Sequence, residues 1–455
     1  MLIQFAVENY RSIESEVLLN LVPAKSRIHP DHVLVSDKVG RAVKALPVAI
    51  MYGANASGKS NLISALEAVH KIVLSELESQ HLLPVTPFRL DRRAAQRPCR
   101  FEFILKHRGV LYTYGFAATP TEIREEWLFA VFNRREVRVF ERTSQDGVAV
   151  VEPGNSLAST KKERDRIEFI TEGLAPHQLF LSEAARRNVE LLQPLFGWFK
   201  NHLKIIAPNS TYTQLLQRTQ GDERFANFLS RFLKAADTGI DEVHVSEKSV
   251  DKEEFILTLP EYLADVVRHK VPRDPELHLG LRVGNSIFGI RELGDEKLEI
   301  TTIEIEHRTS EGEVVRFEPT EESDGTNRLM HLAPALLNLE DSDSVYVIDE
   351  LDRSLHPALC RAFLQAFLDG IAKRGCQGQL ILTTHETSLL DLRLLRRDEI
   401  WFVEKDERGS SQITSLAEFD VRADLRVDTG YVTGRFGAIP FVGDIRRLFA
   451  EEDCK

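Results

Sequence analysis

The run Leu46-Pro-Val-Ala-Ile-Met-Tyr52 passes directly into Gly53-Ala54-Asn55-Ala56-Ser57-Gly58-Lys59-Ser60, and beyond Asn61 the residues Leu62, Ala65, Leu66, Val69 and Val73 recur at helical spacing. A short apolar run reads as a buried strand and the amphipathic pattern after it as a helix. The loop between them fits G-x-x-x-x-G-K-S in the strand–loop–helix context that this motif requires. Its glycines let backbone N–H groups wrap a phosphate, and the helix N-terminus presents its positive dipole end to the same anion. Lys59 is placed to reach β- and γ-phosphates, and Ser60 to ligate Mg²⁺. Asn55, Gly58 and Asn61 fall in the same loop and are assigned with it to nucleotide binding. A glycine turn followed by a chance Lys-Ser would leave the flanking strand and helix unexplained.

Working outward, the 455 residues suffice for a large core and for two or three lobes. Hydrophobic residues at 43% and charged residues at 28% indicate a soluble globular chain rather than a disordered one. No stretch approaches the roughly 20 apolar residues that cross a bilayer, and the opening Met1-Leu-Ile-Gln-Phe-Ala-Val-Glu8 does not read as a secretion signal. Cys99, Cys360, Cys376 and Cys454 are widely spaced, so reduced thiols in a cytoplasmic protein are expected. The 58 basic and 70 acidic residues give a net charge of −12, which argues against a surface that tracks nucleic-acid phosphates throughout but leaves local patches open.

The chain leaves its first sheet and later returns. Leu2 to Val7 alternates like a strand and runs into Glu8-Asn9-Tyr10-Arg11-Ser12. From Phe101 to Arg142, four apolar runs separated by turns predict an antiparallel meander. From about Lys161 to Thr238 the pattern is helical, with Phe225, Phe228, Leu229, Phe232 and Leu233 as one stripe behind the N-cap candidate Asp222. Strands are expected again at Glu254 to Leu259 and between Leu281 and Phe317. The last third then alternates: helix Asn327 to Leu337, strand Ser344 to Ile348, helix Pro357 to Ala372, strand Gln379 to Thr383. That βα alternation implies a parallel sheet continuing the one that starts near residue 46. The division expected is 1–155 and 241–455 as two parts of one nucleotide-binding head, with 156–240 as an inserted helical region.

The other two late strands carry the remaining chemistry. Val345 to Ile348 ends in Asp349-Glu350, and adjacent carboxylates at the end of a buried strand are costly unless the sheet edge uses them. Asp349 is assigned to Mg²⁺ and Glu350 to polarising an attacking water, a role worth roughly 10²–10⁴-fold. The strand ending at Thr383 leads to Thr384-His385, where His385 can donate to a γ-phosphate. Glu322-Ser323-Asp324-Gly325-Thr326 precedes a helix, and either a phosphate contact or a plain helix cap explains it. Arg435, flanked by Gly434 and Gly437, belongs either to a turn against the core or to a docking surface.

Taken together, this set resembles the ABC-type ATPases of the SMC and RecF group. More narrowly, it is similar to the compact AAA-type ATP-binding proteins of bacterial abortive-infection and anti-phage operons, such as AbiL-like and PARIS-like systems. The narrower likeness rests on Glu322-Ser-Asp-Gly-Thr326, on Ile348-Asp-Glu-Leu-Asp-Arg-Ser-Leu-His-Pro357 and on Tyr431-Val-Thr-Gly-Arg-Phe-Gly-Ala-Ile-Pro440. It covers both ends of the chain well and about 140 to 300 poorly. The fold it implies is an α/β ABC-type ATPase head, a P-loop mixed sheet plus an antiparallel β-meander, with an inserted helical region. It further implies that Ser323 and Gly325 clamp the γ-phosphate of ATP held by a second copy, that Asp352 crosses that interface, and that Arg11 lies near the nucleotide. The signature departs from the transporter form, reading Ser-Asp-Gly-Thr for Ser-Gly-Gly. The glutamine that usually reaches Mg²⁺ has one candidate, Gln178.

Two functions follow. The first is an ATP- and Mg²⁺-dependent sensor and scaffold in anti-phage defence: a homodimer or higher homo-oligomer with ATP at its interfaces, controlling a separately encoded effector of nuclease type. The stretch from His385 to Lys455 is short for a further catalytic domain, and the middle region shows no nucleophile motif. The second is a RecF-like ATPase that clamps DNA. It would use Arg134, Arg135, Arg138 and Arg142, the Lys161–Arg166 run, and Arg268, Lys270 and Arg273, although Glu136, Glu141, Glu163 and Asp165 interrupt these tracks. A membrane partner is not expected, and nucleic acid is kept open.

Overall fold

The computed structural model describes every residue except 37–41, 77–81, 133–134, 146, 209–214, 272–278, 284–285, 295, 338–342, 421–425 and 440–455. The chain forms two compact units: residues 1–205, 339–351 and 364–455 make the first, and residues 206–338 and 352–363 the second.

In the first unit, a six-stranded sheet runs in the order Leu203–Ile206, Val345–Ile348, Gln379–Thr383, Val48–Tyr52, Ile400–Lys405, Ser411–Ser415. Its centre is parallel, with Val347 opposite Ile381, Leu382 opposite Ile50 and Trp401 opposite Met51, and Ser411–Ser415 closes it antiparallel. Every residue of Val48–Tyr52, Val345–Ile348 and Gln379–Thr383 is buried, as expected of strands covered on both faces. The parallel sheet and the α/β class expected from the βα alternation are therefore present.

A second, seven-stranded sheet is antiparallel. It runs Val148–Pro153, Arg135–Gln145, Ile123–Phe132, Val110–Ala118, Cys99–His107, Leu2–Glu8, Val17–Asn20. This is the expected meander, extended by the N-terminal strand, whose Phe5 lies opposite both Phe103 and Leu19. The two sheets share a core in which Phe103 packs on Trp198 and Phe199. Gln379, wholly buried, ties them: its Oε1 accepts the Leu2 N–H at 2.6 Å, and its Nε2 donates to the carbonyls of Leu2 (2.9 Å) and Leu46 (3.0 Å).

Helices Lys161–Glu172, Phe180–Arg186 and Gln193–Asn201, all within the segment expected as an insertion, belong to this first unit and share its core through Ile167, Phe180 and Trp198. A buried network holds the middle helix. Glu126 accepts the Phe180 and Leu181 N–H groups at 2.7 and 3.0 Å and the Tyr114 hydroxyl at 3.0 Å, with Arg142 at 3.6 Å. Burial pushes the Glu126 carboxyl upward, and Arg142 and the two N–H donors oppose that shift.

The second unit holds a five-stranded antiparallel sheet: Ile240–Asp251, Lys297–Arg308, Ser286–Gly294 and Leu279–Val283 in order, with Val314–Phe317 beside Lys297–Arg308. Helix Glu223–Ala235 starts where expected, the Asp222 side chain accepting the Phe225 N–H, and Phe225, Leu229 and Leu233 are buried. The expected strand at Glu254 to Leu259 is instead the helix Lys252–Leu257. The Asp251 carboxylate accepts the N–H groups of Glu253 and Glu254, so a local cap outweighs the β-branched and aromatic content of Phe255-Ile256. The short strand Leu203–Ile206 lies in a region expected to be wholly helical.

No helix among the described residues is long and apolar enough to cross a membrane. Cys99, Cys360 and Cys376 are buried and form no disulfide, and Cys454 lies outside the described residues.

His70 gives the fold a pH dependence. Burial, reinforced by Lys204, lowers its pKa from 6.5 to about 4. Between those values the unfolded chain binds the proton and the folded chain does not, so stability falls as pH decreases through the window. The drop in Tm between pH 7 and pH 5 is expected to be smaller in His70→Gln than in the parent chain. Equal drops by thermal melts would count against this assignment.

Candidate functional site

The loop after Val48–Tyr52 changes backbone hand twice, at Ala56 (φ 64°) and Gly58 (φ 111°), before helix Lys59–Leu74 begins. Such alternation turns successive N–H groups inward to form an anion-binding concavity. Glycine is required at position 58 for a second reason: a Cβ there would fall 2.1 Å from Ser411 Oγ and 2.8 Å from Ser12 Oγ. Those two hydroxyls brace the loop from behind. They lie 2.7 Å apart; Asn61 Nδ2 donates to Ser12 at 2.6 Å, and Ser411 donates to the Ser57 carbonyl at 2.6 Å. Lys59 curls over the loop, its ammonium donating to the carbonyls of Gly53 (2.8 Å) and Ala54 (3.1 Å).

The carboxylate strand ends beside this loop. Ser60 Oγ donates to Asp349 Oδ1 at 3.3 Å across 289 residues of chain. The hydroxyl of Thr383, at the end of the neighbouring strand, also donates to Asp349 Oδ1 and accepts the Glu350 N–H at 2.8 Å. Leu351 donates to the Thr383 carbonyl at 3.0 Å. These contacts hold Glu350 in a left-handed backbone conformation (φ 52°), which few residues other than glycine adopt. A depression of about 560 Å³ results, lined by Asn55 to Asn61, Glu350, His385 and Lys405.

Asn55, Gly58, Lys59, Ser60, Asn61, Glu350 and His385 therefore converge on one depression, and Asp349 is bonded to Ser60 at its side. Arg11 is not in the lining: its guanidinium donates to Ser64 Oγ at 2.8 Å, one turn further along the helix, and lies 5.4 Å from the Tyr10 ring. Gln178 has its side chain engaged locally, accepting from Ala175 N at 3.0 Å and donating to Glu183 at 3.1 Å, while its carbonyl accepts from Arg142.

Ser323, Gly325 and Asp352 belong to the second unit. Ser323 Oγ accepts the Thr326 N–H at 3.1 Å at the start of helix Asp324–Leu337, the arrangement of a helix cap. A Cβ on Gly325 would meet the Ser354 carbonyl at 2.6 Å, so the glycine lets the signature loop approach the segment after Asp352.

Sequence reasoning missed four contributors: Thr383 as the bridge between the carboxylates, the Ser12–Ser411 brace, Lys405, and Tyr431. The Tyr431 ring lies 5.8 Å from Tyr52 and stacks 5.6 Å from Phe402, and its hydroxyl donates to the Ala438 carbonyl at 3.3 Å. Phe436 stacks on Phe402 from the same segment at 5.2 Å. Gly437 (φ 66°) packs on Glu404, where a Cβ would lie 2.2 Å from Oε2. Of the two readings for Arg435, the surrounding segment forms a turn against the core, with Arg435 itself exposed. Pairwise distances of this kind leave no local mark in the sequence; only the recurrence of aromatics around Tyr431 and Phe436 hints at them.

Among the described basic residues read for DNA, three are engaged by carboxylates, while Arg135, Lys161 and Lys162 are exposed. Arg142 is fully buried against Glu126, Arg138 pairs with Glu141 and Glu152, and Arg268 pairs with Asp265. Arg134 and Arg273 lie outside the described residues.

Among solved structures, this chain is similar to the SMC head domain from Thermotoga maritima, at 13% identity over 91% of this chain and 98% of that one, with a TM-score of 0.36. An SMC head bound to the C-terminal winged-helix domain of ScpA gives 12%, 91%, 97% and 0.39 in the same terms. The recombination mediator protein RecF-ATPrS of the RecFOR pathway gives 12%, 91%, 98% and 0.32. No curated protein matches the sequence. Residues 48–391, which include the loop, the signature, the carboxylates and His385, match the family described as AAA domain, putative AbiEii toxin, Type IV TA system. The chain belongs to this AAA-domain family.

Proposed function

We propose that the protein binds ATP with Mg²⁺ at the loop of residues 53–61 and hydrolyses its terminal phosphoanhydride. The observation that carries this is the convergence of Lys59, Ser60, Glu350 and His385 on one depression from three separate strand ends. Ser60 Oγ and Asp349 Oδ1 supply the hard oxygen donors that suit Mg²⁺. Bound there, the ion would neutralise charge on the phosphates. Lys59 would exchange its two carbonyl partners for phosphate oxygens, Glu350 would hold the attacking water and take its proton, and His385 would donate to the terminal phosphate.

The narrower role we propose is an ATP-gated sensor and scaffold in anti-phage defence that restrains a separately encoded effector of nuclease type; the AbiEii-type family name points toward it without naming an effector. Placing Ser323, Gly325 and Asp352 on ATP held by a second copy belongs to the same reading. Ligand shared across two copies would couple nucleotide state to assembly. The RecF-like alternative stands beside it: of its basic residues, Arg138, Arg142 and Arg268 are paired with carboxylates, whereas Arg135, Lys161 and Lys162 are exposed.

Glu350→Gln is expected to keep ATP binding and to lower turnover by roughly 10²–10⁴-fold, while Lys59→Ala loses binding. An unchanged rate in Glu350→Gln would falsify its assignment as the base. Thr383→Val removes the hydroxyl that holds both acidic residues, and the Mg²⁺ concentration for half-maximal turnover should rise by roughly 10–100-fold. An unshifted Mg²⁺ titration means Thr383 is not a positioning residue. For the wider role, the mass of the protein co-expressed with its neighbouring genes, with and without ATP and Mg²⁺, should reveal a complex holding a second polypeptide. A chain that only dimerises with ATP and then binds DNA would favour the clamp.

A further inference from the structure

The strand that ends in Asp349 and Glu350 begins beside a different polar cluster. Asp343 precedes that strand, His202 follows helix Gln193–Asn201, and His107 is the last residue of strand Cys99–His107, so three separate segments of the first unit meet here. His202 Nδ1 lies 2.7 Å from Asp343 Oδ1, and His107 Nδ1 lies 3.6 Å from Oδ2. The imidazole centroids are 4.7 Å apart with planes inclined at 58°, and one donor atom from each of the three residues falls within 4.8 Å of the others. The backbone anchors the cluster, Val345 donating to the His202 carbonyl at 2.7 Å.

The directions of these atoms are more informative than their distances. Both Nδ1 atoms are shielded from water, yet neither makes a hydrogen bond of acceptable geometry, despite the nearness of the carboxylate. A hydrogen bond needs the N–H to point at its acceptor. Nitrogen and oxygen atoms that crowd together without pointing at one another are placed like ligands around a shared centre, and an orphaned buried nitrogen is otherwise costly. We propose that His107, His202 and Asp343 bind a borderline divalent transition cation of the zinc class, stapling the antiparallel sheet to the start of the carboxylate strand. Two imidazoles and one carboxylate suit zinc, with water completing the shell, and disfavour Mg²⁺, which takes oxygen ligands. The Met1 amino group, 3.6 Å from Asp343 Oδ2 and donating to the Lys106 carbonyl, is the other charged group at the cluster.

A second cluster, Glu242, His244 and Glu306, serves as a contrast. It is more open, and Arg316 already supplies a cation to Glu306 at 3.0 Å.

The test uses the untagged full chain, stripped with chelator, then titrated with Zn²⁺ by calorimetry and with Co²⁺ by visible absorption. One saturable site per chain is expected, with ligand-field bands for Co²⁺ and a rise in Tm on adding Zn²⁺. All three signals should be lost in His202→Ala, a partly exposed position, and in Asp343→Asn, each first shown to be folded by circular dichroism. They should persist in Asp349→Asn and His244→Ala, which separates this site from the nucleotide loop and from the second cluster. Absence of saturable binding, or a site that survives His202→Ala and Asp343→Asn in folded protein, would overturn the proposal and leave an ion pair only.

Discussion

The hydroxyl of Thr383 touches both acidic residues, donating to Asp349 and accepting the N–H of Glu350. Its position depends on strand register, in which Ile348 sits opposite Leu382 and Thr383 opposite Met51. A slip of one residue would turn Thr383 to the other face of the sheet and leave both carboxylates without their anchor. The loop after Tyr52 depends on the same register, because its strand is the other neighbour of Gln379–Thr383. One parallel pairing pattern therefore brings together the loop of residues 53–61, the carboxylates and His385.

Parallel strands cannot be joined by hairpins and need crossovers. After Tyr52 the chain runs through helix Lys59–Leu74, the antiparallel sheet and the second unit before it returns at Val345. That excursion is why Ser60 and Asp349 meet across so much sequence. The antiparallel sheet does more than occupy the interval. Through Gln379 it hydrogen-bonds to the central strand, and through Glu126 it fixes the entry to helix Phe180–Arg186, which in turn engages Gln178 away from the depression. Buried polar groups of this kind are stable only when fully satisfied, so each one specifies a single docking of its neighbours.

Residues of the second unit follow a different logic. Ser323 caps the helix behind it, and Gly325 admits the Ser354 carbonyl, so the signature loop and the segment after Asp352 form one local structure. The cap and the phosphate contact read for Glu322–Thr326 are not exclusive, since a capped helix start still presents free N–H groups. Family membership spans residues 48–391 and so includes both units.

Much of this was legible locally. An apolar strand, a glycine-containing loop and an amphipathic helix are legible at residues 48–74 because backbone conformation and hydrophobic period are properties of neighbouring residues. Asp349 and Glu350 at the end of a buried strand could be read the same way, since charge there is costly without use. The strand expected at Glu254 to Leu259 was misread because a single capping carboxylate, Asp251, outweighs a weak β preference. Arg142 looked like a surface charge, and only tertiary structure places it against Glu126. The same holds for the Thr383 bridge, the Ser12–Ser411 brace, Tyr431 against Tyr52 and Phe402, and the meeting of His107, His202 and Asp343. Local sequence determines which segment becomes which element and where its charges stand along it. Which side chains meet is decided by register and by crossover, through contacts between residues tens to hundreds of positions apart.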